Sequence, residues 1–214
     1  SLGKSANDLL SDTKYTALNV QIQYMPGYAP DSQAVSNLSA FLNSVCNKPA
    51  GIMINTMEIP GSGDSITPLK AALIEKKYRT AYTSGTTISV YVLITDGYDT
   101  SVTTLGFAFR NTSVCLLGKD ISDHSGNTGS TGGITRAALT TSVLDHEICH
   151  LLGLVDLGSP VQTAHRDVAH GFHCTNTSCL MHYAIELHKG LGAYTKIPVL
   201  DSNCLHDLRA NGGR

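Results

Sequence analysis

Apolar residues near the start of the chain repeat first with the period of a strand and then with that of a helix. The segment 15–24, YTALNVQIQY, alternates apolar and polar residues, as a strand with one buried face does. Pro26 and Pro30 interrupt this pattern. Asp31 is an N-cap residue type directly before SQAVSNLSAFLNSVC, where apolar residues recur at helical spacing. The pattern therefore predicts a first strand followed by a first helix.

The patterns that follow, from residue 51 onwards, repeat this alternation of strands and helices. GIMINTMEIP, 51–60, has a strand pattern, and TPLKAALIEKKYRTAY, 67–82, has a helix pattern with Pro68 near its first turn. TTISVYVLIT, 86–95, is β-branched and almost continuously apolar, which is typical of a central strand. LGFAF and SVCLLG follow as short strands. This order predicts an α/β layer with a mainly parallel sheet.

A long apolar helix is predicted at 134–153, ITRAALTTSVLDHEICHLLG. The Gly- and Ser-rich segment 122–133 before it is interpreted as a connecting loop. Gly153 suits the left-handed residue that ends a helix. Beyond it the sequence has little periodicity, and only SNCLHDLRANGG, 202–213, predicts a last helix.

Composition narrows the class of function. The chain has 214 residues, of which 42% are hydrophobic and 15% charged, so it can bury a core. The net charge is -2 and there is no basic run, which argues against nucleic-acid binding. The longest apolar stretches are too short to cross a bilayer. The N-terminus has neither a starting Met nor an apolar signal core, so we expect a processed form from which a targeting segment is missing.

Histidines are concentrated in the last third of the chain, and two of them are spaced as metal ligands. His146 and His150 lie four residues apart, so both rings share one face of the predicted helix. Zinc lowers the pKa of a bound water towards about 7, and the adjacent Glu147 can take its proton. Seven of the nine histidines lie between 146 and 188, which favours a metal site over two surface histidines. The pattern predicts one catalytic zinc ion, with Glu147 as general base.

The motif His146-Glu147-x-x-His150-x-x-Gly153 resembles that of the metzincin clan of zinc peptidases. In that clan the Gly lets the chain turn sharply so that a third ligand returns to the metal, and a Met in a tight turn underlies the site. Met181, in CLMHY, is the Met-turn candidate. The resemblance covers roughly residues 134–185.

This resemblance implies an α/β metzincin-like catalytic domain. Its expected parts are a mixed, mainly parallel twisted sheet, two backing helices, an active-site helix and a loop-rich C-terminal subdomain. We expect one domain over 1–214, with an upper part at 1–153. The lower part, 154–214, would hold the third ligand, the Met-turn and the last helix.

Three residues compete for the position of the third ligand. His173 is followed by Cys, four residues, Cys, one residue and Met, which is similar to archaemetzincins. Asp156 completes a snapalysin-like pattern, but it lies 25 residues before Met181, further than that pattern leads us to expect. His165 is the third candidate. His173 is preferred, then Asp156, then His165, although roughly sixteen inserted residues precede His173.

Six cysteines, an even number, suit disulfides in an oxidising compartment, and buried thiols are the alternative: Cys46, Cys115, Cys149, Cys174, Cys179 and Cys204. The resemblance to archaemetzincins implies a structural zinc held by four cysteines, the last two as Cys-x-x-Cys. Only Cys204 follows Cys179 here, so a Cys174–Cys179 disulfide is expected instead.

The resemblance implies a zinc endopeptidase. Tyr183, in MHY, is similar to the astacin Tyr that lies near the zinc and can support a developing oxyanion. An extended polypeptide substrate is expected to pair with an edge strand from LGFAFRNTSVCLLG, 105–118. A zinc aminopeptidase of narrow specificity and a non-catalytic surface binding module with a structural zinc stay open. We expect a monomeric bacterial protein of the exported or lipoprotein type, located in the periplasm, at the cell surface or outside the cell.

Overall fold

A five-stranded mixed sheet forms the centre of the computed structural model, which describes residues 1–98, 104–126, 133–187 and 196–214. Across the sheet the strands are β2 (Ile52–Glu58), β1 (Ala17–Tyr24), β3 (Thr87–Thr95), β5 (Ser113–Leu117) and β4 (Gly106–Arg110). The first four run parallel, and β4 is an antiparallel edge strand. The apolar β3 lies at the centre of the sheet and is almost wholly buried, as its sequence predicts.

Helices cover both faces of this sheet. They are α1 (Ala6–Leu10), α2 (Ser32–Val45), α3 (Pro68–Tyr78), α4 (Gly118–His124), α5 (Arg136–Leu151) and α6 (Ser202–Ala210). One apolar core joins α2, α5 and α6 to one face, and a smaller one places α3 on the other, so the two predicted backing helices lie on opposite faces. Within the described ranges, no helix combines the length and apolar character that crossing a membrane requires.

Two short helices were absent from the sequence-based prediction. The five residues of α1 and the seven of α4 are too short to show a helical period. The end of α4 takes up the first residues of the predicted loop at 122–133. Residues 127–132 of that loop lie outside the described residues. The α/β class and the mainly parallel sheet are confirmed.

The end of α5 sets the direction of the C-terminal part of the chain. Gly153 has φ of +77°, and a Cβ there would lie 2.6 Å from the Ser159 nitrogen and 2.7 Å from the Ala6 Cβ. Only glycine meets both the dihedral angle and the close approach. Val155 and Asp156 follow with φ of 54° and 70°. The chain therefore turns sharply away from the helix after the second histidine of the motif.

Candidate metal centres

Three histidines and a glutamate converge at the C-terminal half of α5. His146, His150, His173 and Glu186 each offer one ligand atom, and these atoms lie within 4.8 Å of one another. The centroids of the three rings are 4.9 to 5.2 Å apart. His146 and His150 share one face of the helix because they are four residues apart. The structure thus brings both together with His173, the preferred third ligand.

Backbone carbonyls orient two of the three imidazoles. His146 Nδ1 donates to the Leu180 carbonyl at 2.7 Å, and His173 Nδ1 donates to the His170 carbonyl. A carbonyl can only accept, so in each neutral ring Nδ1 carries the proton and Nε2 carries a lone pair. Both Nε2 atoms are buried without a hydrogen-bond partner. Two oriented, unpaired imidazole nitrogens fit a divalent metal ion.

Burial keeps the histidines of α5 in the form that binds metal. It lowers the pKa of His146 to about 4 and lowers that of His150 well below its usual range. Both rings are therefore neutral at pH 7, and a metal ion does not have to displace a proton from them.

Glu147 lies beside this group in an apolar environment. Both of its carboxylate oxygens are buried and lack a hydrogen bond of normal geometry. Burial, and then the nearby Glu186, raise the pKa of Glu147 well above its usual range, an effect that the Ala108 backbone only partly offsets. A raised pKa makes the carboxylate a stronger base, which favours the transfer of a proton to it in general acid–base catalysis.

A glycine makes room for Glu147. A Cβ on Gly106, the first residue of β4, would lie 3.2 Å from the Glu147 Cγ and 2.9 Å from the Val143 Cγ1. The edge strand can therefore approach α5 this closely only without a side chain at this position. The backbone of β4 therefore lies directly beside the Glu147 side chain.

A cleft of about 290 Å³ opens at the histidine group. Phe107 and Ala108 of β4 form one of its walls. His170, Gly171 and Phe172, at the end of the inserted segment before His173, also line it. The segment 105–118, which is predicted to pair with the substrate, therefore runs beside the histidine group, and the inserted segment before His173 also lines the cleft.

The turn at 179–182 supports the first histidine of the motif. The His182 N–H donates to the Cys179 carbonyl at 3.0 Å, which closes a tight turn around the fully buried Met181. The Leu180 carbonyl in the same turn accepts the hydrogen bond from His146. The turn thus fixes the orientation of one imidazole of the group.

Other candidate residues lie outside the histidine group. The Asp156 carboxylate is half exposed and 3.6 Å from an Arg166 nitrogen. The Tyr183 ring stacks on the His170 ring, with 3.7 Å between their centroids. Conversely, Glu186 belongs to the group but was missed in the sequence. Its only signal there is a carboxylate five residues after the Met-turn candidate, and no spacing rule singled it out.

A second group of potential ligands comprises His165, Cys174, Asp201 and Cys204, whose ligand atoms lie within 4.8 Å of one another, and the Cys179 sulfur lies 3.7 Å from that of Cys204. The histidine and the three cysteines are called the thiol cluster here. All six cysteines of the chain are free thiols. The expected Cys174–Cys179 disulfide is therefore wrong. A different pair, Cys179 and Cys204, also forms no disulfide, because its sulfurs are 3.7 Å apart, against about 2.05 Å in a disulfide. The prediction failed because the Cys204 thiol and the His165 ring join the other two thiols from distant parts of the chain.

The spacing within the thiol cluster matches tetrahedral zinc. Zn–S and Zn–N bonds of about 2.3 and 2.05 Å place two sulfurs about 3.8 Å apart, and a sulfur and a nitrogen about 3.6 Å apart. The Cys179–Cys204 distance is 3.7 Å. His165 Nδ1 lies 3.4 Å from the Cys174 sulfur and 3.9 Å from the Cys204 sulfur. These residues therefore fit a zinc ion.

Hydrogen bonds within the thiol cluster favour one thiolate. Those from Cys174 and Cys204 hold the pKa of Cys179 well below its usual range, whereas hydrogen bonding among the thiols raises the pKa values of Cys174 and Cys204. His165 Nε2 lies 2.7 Å from a carboxylate oxygen of the buried Asp207, so the ring is held with Nδ1 towards the sulfurs. Asp201 also offers a ligand atom to this group, with its Oδ2 3.3 Å from the Cys174 sulfur, and it caps the N-terminus of α6.

Comparison with known proteins identifies a related fold. No protein-family model and no curated protein matches the chain. Among solved structures, the crystal structure of the archaemetzincin from Methanopyrus kandleri matches with a TM-score of 0.58. The match covers 92% of this chain and 96% of that chain. The chain has an archaemetzincin-like fold. The structural similarity between this chain and the archaemetzincin thus extends well beyond the motif region. At 14% sequence identity it shows the fold alone, so the roles of individual residues are argued from the geometry of the site.

Proposed function

We propose that the chain is a zinc-dependent endopeptidase with one catalytic ion at His146, His150 and His173. The observation that carries this proposal is the convergence of three buried imidazoles beside a buried, unpartnered carboxyl group, Glu147. A purely structural zinc site has no need of such a carboxyl group. The archaemetzincin-like fold supports the same reaction class.

When bound, zinc would supply a Lewis acid that polarises the scissile carbonyl and makes a water molecule more acidic. Glu147 accepts the proton of the attacking water and then delivers it to the leaving amine. The carbonyls of Leu180 and His170 keep His146 and His173 in the tautomer that presents Nε2. We also propose that Tyr183, supported by its stacking on His170 at the cleft, donates a hydrogen bond to the developing oxyanion.

The position of β4 supports an endopeptidase. As an edge strand beside the histidine group, it can pair with the backbone of an extended polypeptide that continues in both directions. One observation favours the aminopeptidase alternative: the carboxylate of Glu186 lies at the group, and a carboxylate binds a protonated N-terminal amine. Peptides with free and acetylated N-termini distinguish the two, because an endopeptidase cleaves both.

The decisive experiment compares Glu147→Gln with the parent protein on an unstructured protein substrate. We expect the variant to retain its zinc and to lose cleavage, because an amide cannot accept the proton. Glu58→Gln, which changes an exposed carboxylate at the end of β2, is the matched control and should cleave normally. Cleavage by Glu147→Gln at the parental rate would refute the mechanism. A zinc-loaded parent that cleaves nothing would support the binding-module alternative.

We further propose that the thiol cluster holds a structural zinc ion. The proposal is supported by the tetrahedral spacing, with His165 and three cysteines in place of the four cysteines of archaemetzincins. The protein should then bind two zinc ions per chain, of which Cys179→Ser loses one together with much of its thermal stability. A parent that binds a single zinc ion, retained in Cys179→Ser, would contradict this assignment.

A further inference from the structure

Glu186 lies in the histidine group but has no role in the proposed endopeptidase reaction. Its Oε1 lies 3.6 Å from His173 Nε2, and its Oε2 lies 3.9 Å from His146 Nε2. Both separations are longer than a hydrogen bond. A tetrahedral zinc ion with bonds of about 2.1 Å to nitrogen and oxygen places two such ligand atoms about 3.4 Å apart. The spacing therefore resembles that of two ligands on one metal ion more than that of a hydrogen-bonded pair.

The chemistry of these atoms points in the same direction. In the neutral form of each ring, Nε2 carries the lone pair, because Nδ1 donates to a carbonyl. The oxygens of an ionised Glu186 also carry only lone pairs. The two rings and Glu186, together with His150, each offer one ligand atom within 4.8 Å of the others, so a single divalent cation can contact all four residues.

The backbone of Glu186 is anchored across the cleft. Its carbonyl accepts hydrogen bonds from the Leu105 N–H at 2.7 Å and from the Thr104 hydroxyl at 3.2 Å. Thr104 also forms an antiparallel bridge with Leu187. Leu105 directly precedes β4. The position of the carboxylate is thus coupled to the start of the edge strand, and three-quarters of its side chain is buried.

We propose that Glu186 is a fourth protein ligand that closes the catalytic metal site in the resting protein. Structural zinc sites have four protein ligands, whereas catalytic sites keep one position open. Glu186 must therefore move away before the site can bind water and substrate together. A polypeptide that pairs with β4 contacts the strand whose start anchors Glu186, so substrate binding acts on the segment that carries this ligand. This regulation rests on the proposed function, whereas the coordination by Glu186 does not.

The test compares cobalt(II)-substituted parent, Glu186→Gln and the matched control Glu58→Gln. Acetohydroxamate, a small ligand that binds an open metal position, is titrated while the visible absorption spectrum is recorded. Cobalt in the thiol cluster has sulfur charge-transfer absorption, so the change that depends on acetohydroxamate reports the histidine site. We expect Glu186→Gln to bind acetohydroxamate at a concentration at least about tenfold lower than the parent does. We also expect it to lose zinc to a chelator at least about tenfold more readily, because even residues that only hydrogen-bond to metal ligands change metal affinity by about 10–100-fold.

Equal spectra, equal acetohydroxamate binding and equal zinc retention in parent and Glu186→Gln would overturn the proposal. Glu186→Asp provides a second variant, since it keeps the charge but withdraws the carboxylate by one methylene group, and its behaviour should be intermediate. Peptide cleavage is measured separately. If Glu186→Gln opens the site but no variant cleaves peptide, Glu186 is a ligand and the proposed endopeptidase function fails. If Glu186→Gln opens the site and cleaves with a shorter lag than the parent, both proposals are supported.

Discussion

Replacing Gly106 by alanine should displace the proposed general base without removing the metal. The added Cβ would lie 2.9 Å from Val143 Cγ1, 3.1 Å from the Cys115 carbonyl oxygen and 3.2 Å from Glu147 Cγ. Carbon atoms in ordinary contact are about 3.5–4.0 Å apart. Val143 and Glu147 lie four residues apart on one face of α5, so both contacts push the helix away from β4.

The expected effect follows from these distances. Relieving them requires a separation of helix and strand by roughly half an ångström, and such overpacking costs about 1–3 kcal/mol of stability. In a protein of this length, each kcal/mol lowers the melting temperature by about 2–4 °C. A misplacement of about 1 Å at a reacting centre can cost 100-fold, so we expect kcat to fall by roughly 10–100-fold.

The assay separates displacement of the base from loss of metal. We expect kcat on an unstructured substrate to fall while KM and zinc stoichiometry stay near the parental values, because the three atoms nearest to the added methyl group include the Glu147 Cγ but no atom of His146 or His150. Gly126→Ala is the matched control. A Cβ there meets its nearest atom, the Gly133 Cα, at 3.5 Å, which is ordinary contact.

An unchanged kcat in a folded, zinc-loaded Gly106→Ala protein would refute the reasoning. It would mean either that Glu147 does not act on the reacting water or that the strand–helix contact does not set its position. A loss of zinc in proportion to the loss of activity would likewise show that the alanine disturbs the ligands rather than the base.

Three further substitutions test separate parts of the structure. Asp207→Asn should weaken zinc binding at the thiol cluster by about 10–100-fold in a chelator competition, because it orients His165; equal affinity would exclude that role. Asp156→Asn should retain both zinc ions and change stability by less than about 0.5 kcal/mol, since the carboxylate is half exposed; loss of the catalytic ion would identify Asp156 as a ligand. Burial raises the pKa of Asp145 to about 8, whereas the same carboxyl group in the unfolded chain loses its proton above about pH 4. Between these two pH values the folded protein binds one more proton than the unfolded chain, so Asp145 destabilises the protein increasingly as the pH rises. In urea unfolding of zinc-loaded protein, the stability advantage of Asp145→Asn should therefore grow by up to about 1.4 kcal/mol per pH unit from pH 4 to 8, and a constant difference would contradict the burial argument.

Some predictions from the sequence are not tested by the fold or its comparison. The division into parts at 1–153 and 154–214, the role of Tyr183, the monomeric state and a location outside the cytoplasm stay predictions. The role of Tyr183, the oligomeric state and the location depend on substrates, partners or the cellular compartment, which have little effect on local residue patterns.

The features that the sequence predicted well are those determined by neighbouring residues. The apolar continuity of 86–95 indicated a central strand, because a strand buried on both faces has no polar side. The spacing of His146 and His150 indicated that both imidazoles lie on one face of the helix, because four residues make about one helical turn. The left-handed Gly153 was also predicted locally, as the residue that ends a helix.

The tertiary structure decided which distant residues share a site. Cys204 joins Cys179 because α6 packs into the core, and His165 joins them from the insertion, 39 residues before Cys204 in the chain. Glu186 reaches the histidine group because its backbone is anchored on the residues before β4, about 80 positions away. Local periodicity carries no information about such contacts, since they depend on how the helices and the sheet pack together. The sequence therefore determined the two histidines of α5 that are proposed as ligands and the adjacent Glu147, whereas packing decided that a further potential ligand, Glu186, faces them and that three cysteines lie beside a histidine.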